Sequence, residues 1–194
     1  MANSARSAAR GSFLPADLTA LLWRRAIQFG GLIVAGAGLA VAVALLSYHS
    51  TDPSLNRAVA GPVRNLLGLP GAYGADLLLQ SLGLAGALIA LALMLWGWRL
   101  AGGGSLAPLW LRLTLLPIAI VAAAIALSVV TPPGGWPLRA GLGGVTGSLV
   151  LASIRTGLGS AGLPVGTDII GLVAAAVMLT AVTPALALTW RKNC

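Results

Sequence analysis

Few residues in this chain could do acid–base, nucleophilic or metal chemistry. There are four carboxylates (Asp17, Asp52, Asp76 and Asp168), one histidine (His49), one lysine (Lys192) and one cysteine (Cys194). His49 has no second histidine or glutamate to pair with, so it reads as a solvated loop residue rather than a ligand or catalyst. A single thiol makes neither an internal disulfide nor a metal site. Serines and threonines are plentiful but lack a base. The lone lysine lies in no Gly-x-x-x-x-Gly-Lys-Ser/Thr loop, so the chain by itself carries no nucleotide-hydrolysing signature. The expectation is therefore no catalytic, cofactor-binding or metal-ligating residue.

Polar information is concentrated between positions 47 and 84. Ser47-Tyr48-His49-Ser50-Thr51-Asp52-Pro53-Ser54 leads to Gly61-Pro62-Val63-Arg64-Asn65-Leu66-Leu67-Gly68, and then to Pro70-Gly71-Ala72-Tyr73-Gly74-Ala75-Asp76. Asp52-Pro53 predicts a turn followed by a helix start. The carboxylate would accept from first-turn N–H groups, and proline at the first helical position has no N–H to leave unpaired. The segment is also what any connector between two membrane spans requires.

The elements around it are apolar. Hydrophobic residues make up 58% of the chain and charged residues 8%, far below the quarter expected of a soluble domain. The long runs show no alternation of period two, so helices rather than a barrel do the spanning. Four spans are predicted, at about 27–47, 75–95, 111–130 and 168–188. The first covers roughly 32 Å at 1.5 Å per residue, enough for the hydrocarbon core. Residues 1–11 are small, polar and basic and read as disordered. Residues 13–25 read equally as a short amphipathic interfacial helix or as a charged flank of the first span, so 1–26 form a basic leader. Asp76 is placed in the first turn of the second span, where the helix dipole favours a negative charge. Pro117 lies near the start of the third span, and Thr167 or Asp168 caps the fourth. Small-residue ridges are Gly36, Ala40 and Ala44; Gly83, Ala87 and Ala90; and Gly171 with Ala175.

Residues 140–154, bracketed by Arg139 and Arg155, make roughly 22 Å of helix, too short to cross. They read as a re-entrant or interfacial helix on the outer side. A Gly-rich segment at 61–74 precedes the second span as one at 141–162 precedes the fourth. The pattern hints at a duplicated unit of span, short outer helix and span. Arg6, Arg10, Arg24, Arg25, Arg99, Arg112, Arg191 and Lys192 fall on one side, against Arg57, Arg64, Arg139 and Arg155 on the other. Eight against four puts both termini in the cytoplasm. Trp23, Trp96, Trp98, Trp110 and Trp190 mark the inner interface, and Tyr48, Tyr73 and Trp136 the outer one. A sequence pI near 11.6 reflects these flanking arginines rather than a nucleic-acid surface. Asp76 with Arg64, and Asp168 with Arg155 or Arg139, are the expected ion pairs. No span carries a charge or histidine at mid-depth, which argues against an ion-coupled transporter.

On these residues a resemblance rests. Ser47-Tyr48, Thr51-Asp52-Pro53-Ser54, Asn65-Leu66-x-Gly68-x-Pro70-Gly71-Ala72-Tyr73-x-Ala75-Asp76 and Gly83 resemble the N-terminal four-span domain of FtsK/SpoIIIE-type DNA translocases. Gly143-Gly144-Val145-x-Gly147-Ser148-Leu149, with Gly159 and Gly162, resembles its second half. The resemblance implies a bacterial inner-membrane domain at the division septum that contacts other division proteins and self-associates, with a hexamer set by the motor. It also implies a cytoplasmic linker, beginning here at 191–194, and an ATP- and Mg-dependent motor outside this chain, through which alone DNA would be engaged. Tyr48, Asp52, Pro53, Asn65, Gly68, Gly71 and Asp76 are then the residues expected either to contact partners or to shape the outer loop. Gly143, Gly144, Gly147 and Gly159 mark the second outer segment. The competing readings are a small channel or transporter subunit whose Gly-rich segments re-enter the membrane, and a purely structural assembly protein.

Overall fold

The computed structural model describes residues 16–54, 62–163 and 165–186, and all its helices and turns come from those stretches. The helices are α1 (Ala16–Leu46), α2 (Gly68–Leu82), α3 (Ala87–Ala101), α4 (Leu109–Val129), α5 (Gly144–Ser160) and α6 (Thr167–Ala185), with a 3-10 turn over Gly83–Gly86 between α2 and α3. Four stretches are long and apolar enough to cross a membrane: Leu18–Leu46, Gly68–Ala101, Leu109–Val129 and Thr167–Ala185. Their outward faces carry exposed Leu32, Ile33, Leu39, Leu172 and Val173, a surface suited to lipid and not to water.

Chain direction alternates. α1 runs against α3, with Gly31 beside Ala101 and Gly38 beside Met94. α4 runs against α6, with Gly171 beside Val129 near one end. The two pairs join through buried Ala92, Trp96, Ala119, Ala181, Val182 and Leu186. At the α3 end the Trp96 indole N–H donates 2.8 Å to the Ala185 carbonyl, buried, so the last turn of α6 and the first half of α1 lie at the same end of the bundle. Trp96→Phe is expected to cost about 1–3 kcal/mol, because it leaves that carbonyl unsatisfied. Unfolding in detergent, compared with a conservative change at exposed Trp98, checks this.

Several expectations change. Residues from Ala16 onward belong to one 31-residue helix with the first span, so 16–25 are not a separate interfacial helix; residues 1–15 lie outside the described residues. Gly68 to Gly74 are the opening turns of α2 rather than an independent outer helix, while 62–67 are irregular and Gly61 lies outside the described residues. Among the described residues the two halves are therefore not equivalent, because α5 has no counterpart before α2 there. α5 is 17 residues long and contains Arg155 instead of ending before it. Gly166, not Thr167 or Asp168, precedes the first turn of α6, with no side-chain cap. The packed small residues of α1 are Gly31, Gly38 and Ala44, whereas Gly36 faces open space: closeness to α3 decides the face.

The second span is broken on purpose of packing. Gly83 has φ +62, and a Cβ there would run into the Leu142 carbonyl and the Gly143 backbone. At Gly144, φ +66, an added Cβ would likewise run into backbone, the Gly83 N–H and the Ser81 carbonyl. The Leu84 N–H, freed by the break, donates 2.9 Å to the Leu142 carbonyl. The N-terminus of α5 is thus seated in the gap between α2 and α3. Gly143 and Gly147 lie against the Ala124 carbonyl and Ser128 of α4, completing the crossing of the two halves.

Candidate functional site

Helix ends leave carbonyls and N–H groups without partners, and the end of α1 solves this with side chains from far along the chain. Ser47 turns its hydroxyl back to the Val43 carbonyl at 2.6 Å and accepts from the Leu66 N–H at 3.2 Å. Asn65 Nδ2 donates 2.8 Å to the Ala44 carbonyl, an orphan of the last turn, and its Oδ1 accepts from the Leu67 N–H at 3.1 Å. Asp52 accepts from the Arg64 N–H on Oδ1 at 2.9 Å and from the Asn65 N–H on Oδ2 at 2.8 Å. Asp52 and Asn65 are 5% and 4% exposed, so these are buried, charge-assisted contacts. Gly71 closes the knot from below, since a Cβ there would strike Asn65 and Leu67.

Asp52 does not cap a helix beginning at Pro53. Pro53 is irregular, Ser54 sits in a bridge, and 55–61 lie outside the described residues. The carboxylate instead gathers N–H groups from the strand of chain that enters α2. The reason is the same attraction of a carboxylate for free amides, exercised at long range.

Asp76 lies in the third turn of α2, away from the positive helix end expected for it. At 7% exposure it is held by the Tyr48 hydroxyl, 3.0 Å to Oδ1, and by Gln80 Nε2, 2.7 Å to Oδ2. Tyr48 and Gln80 take the place of the expected Arg64, whose backbone rather than side chain is used, at Asp52. No ion pair joins Asp168 to Arg139 or Arg155 either. The exposed His49 ring makes a 3.1 Å contact with the Ser47 carbonyl and has no carboxylate beside it.

A cavity of about 640 Å³ opens beside Asp76. Tyr48, Ser54, Asp76 and Gln80 form one wall, and Leu138, Arg139 and Val145 from the segment before and within α5 form the other. It is the place where the two halves present polar groups together. Of the second glycine set, Gly143, Gly144 and Gly147 are buried in the crossing, whereas Gly159 faces open space. Gly68 has φ +66 where the chain enters α2. Gln80 and Arg139 were missed as site residues by sequence reasoning. The i, i+4 spacing of Asp76 and Gln80 was a signal for the first; nothing local marked the second. Among the described residues no three His, Cys, Asp or Glu side chains come together for a metal, and Asp76 has no acid–base partner beyond the tyrosine and glutamine. The arrangement can position a loop and present a recognition surface.

Residues 24–194 match the family described as the 4TM region of DNA translocase FtsK/SpoIIIE. Among similar proteins are three called DNA translocase FtsK. That of Bradyrhizobium diazoefficiens is 37% identical over 85% of this chain and 20% of its own length. That of Rhizobium meliloti is 39% identical over 69% and 15%, and that of Azospirillum brasilense 35% identical over 87% and 27%. The chain thus spans about a fifth of the length of these relatives. No solved structure matches it.

Proposed function

The chain belongs to the family of the 4TM region of DNA translocase FtsK/SpoIIIE, and from that membership we propose that it is the membrane-anchoring and septum-localising domain of a DNA translocase that couples division to chromosome segregation. The observation that carries this is a family match over nearly the whole chain, to relatives of which the chain accounts for only a fifth. The bundle supports an anchoring role: spans without mid-depth charge offer lipid an apolar surface and offer a DNA backbone no continuous line of cations through the membrane. Arg24, Arg25, Arg99 and Arg112 gather at the end where α3 stops and α4 starts, which supports a cytoplasmic position for that end by the positive-inside rule. The polar knot and its cavity then face outward, on the side where other division proteins are reached. ATP hydrolysis and DNA pumping belong to a motor outside these residues, and self-association, up to the hexamer of that motor, brings copies of the bundle together.

The knot is the recognition surface, because its loops are carried on a rigid scaffold. A fluorescent fusion of the full-length native protein carrying Gly71→Leu or Asp52→Ala is expected to lose septal enrichment when the septal signal is normalised to the intact membrane-inserted fusion. Normal septal enrichment of both variants would remove the knot from recruitment. An antibody to residues 48–54 should detect a native product several times heavier than 19.4 kDa. A band at the chain's own size would remove the motor, and with it the translocase reading.

A further inference from the structure

One buried cation is used by nothing described so far. Arg112, in the first turns of α4, is 7% exposed, and its Nε and Nη1 are sealed from solvent without a hydrogen-bond partner. An unpaired buried guanidinium is unfavourable enough that some anion must compensate it. Arg99, whose Nε donates 2.9 Å to the Ser105 carbonyl, and Arg24, beside Gly103, both lie at the turn between α3 and α4 that leads into Arg112. Three arginines therefore converge at one end of the bundle.

Among the described residues no carboxylate pairs with Arg112. Asp52 and Asp76 are engaged in the knot at the opposite end, and Asp168 opens α6 at the level where α4 finishes. Asp17 lies about two helical turns before Arg24 along α1. Residues 187–194 contain no Asp or Glu. The turn is flanked by exposed Trp98 and Trp110, side chains suited to the depth of lipid headgroups. We propose that Arg112, with Arg99 at its rim, is a binding site for the phosphate of an anionic lipid headgroup. The bilayer supplies that group at the right depth and at high local concentration, and a guanidinium fork matches phosphate in geometry as well as charge.

The test is lipid retention and thermal stabilisation of the 194-residue chain in detergent, with phosphatidylglycerol, phosphatidylcholine or inorganic phosphate added separately. Wild type should retain phosphatidylglycerol and gain stability from it, with little response to phosphatidylcholine. Arg112→Gln should weaken phosphatidylglycerol binding by about tenfold or more, the loss of a charge-assisted contact, whereas Arg112→Lys should retain part of it. Arg99→Gln, on the rim, provides the second readout if Arg112→Gln does not keep its helical content, and it too should bind more weakly. Unchanged phosphatidylglycerol binding in Arg112→Gln, or in Arg99→Gln where the first variant fails to fold, would overturn the site. Equal stabilisation by inorganic phosphate would overturn the lipid as its occupant.

Discussion

Gly83→Ala is expected to unfold the bundle at a markedly lower temperature than wild type, by about 5–15 °C, corresponding to roughly 2–5 kcal/mol. Two costs combine. A side chain at positive φ is disfavoured by about 1–2 kcal/mol, and Gly83 has φ +62. The new methyl also meets backbone, the Leu142 carbonyl and Gly143, which cannot rotate aside as a flexible side chain would; overpacking of this kind typically costs about 1–3 kcal/mol. The displaced backbone would further endanger the bond from the Leu84 N–H to the Leu142 carbonyl. Gly74→Ala is the control: nothing lies within 4 Å of its Cβ position and it is inside α2, so stability should hold or rise by up to about 1 kcal/mol. Gly144→Ala should resemble Gly83→Ala, and the double variant should cost less than the sum, because both changes force apart one crossing. Equal melting of Gly83→Ala and Gly74→Ala would mean that the seat of α5 between α2 and α3 is not formed in solution.

The second large effect belongs to Asp52 and Asn65. Asp52→Ala leaves the N–H groups of Arg64 and Asn65 without their acceptor in a site from which water is largely excluded, at a cost of about 2–4 kcal/mol. Asn65→Leu keeps the volume but strands the Ala44 carbonyl and the Leu67 N–H, with a similar loss. Asp52→Asn can still accept on one atom, so it should fall between Asp52→Ala and wild type. Unfolding by SDS titration, followed by tryptophan fluorescence, measures all three. The pair forms one network, so the double variant Asp52→Ala/Asn65→Leu should again cost less than the sum. If Asp52→Ala were as stable as wild type, the carboxylate would be serving recognition alone.

The spans were legible because hydropathy is a sum over neighbouring residues. The third and fourth fall within a few residues of expectation, at Leu109–Val129 and Thr167–Ala185. The second was read as 75–95 but extends over Gly68–Ala101. A local reading stops near Asp76, where a charge ends the apolar run. The fold continues the helix through it because Tyr48, 28 positions away, and Gln80 satisfy the carboxylate. The same holds for the knot. Asp52 and Asn65 could be picked out by type and family resemblance, yet their tasks depend on amides and carbonyls 12 to 21 positions away.

By itself, then, the sequence determined an all-helical chain with four spans and arginines concentrated toward one side, because apolar run length and flanking charge are local properties that the bilayer reads directly. Only the tertiary structure decided which glycines matter. Gly36 and Gly83 look alike in sequence, but one faces open space and the other is where two backbones meet. It also decided that Asp52 gathers the entry to α2, that α5 sits in the break of the second span, and that Arg112 is buried while the other described arginines are not. Each of these is a contact between residues distant in sequence, so its energy enters only when the helices pack.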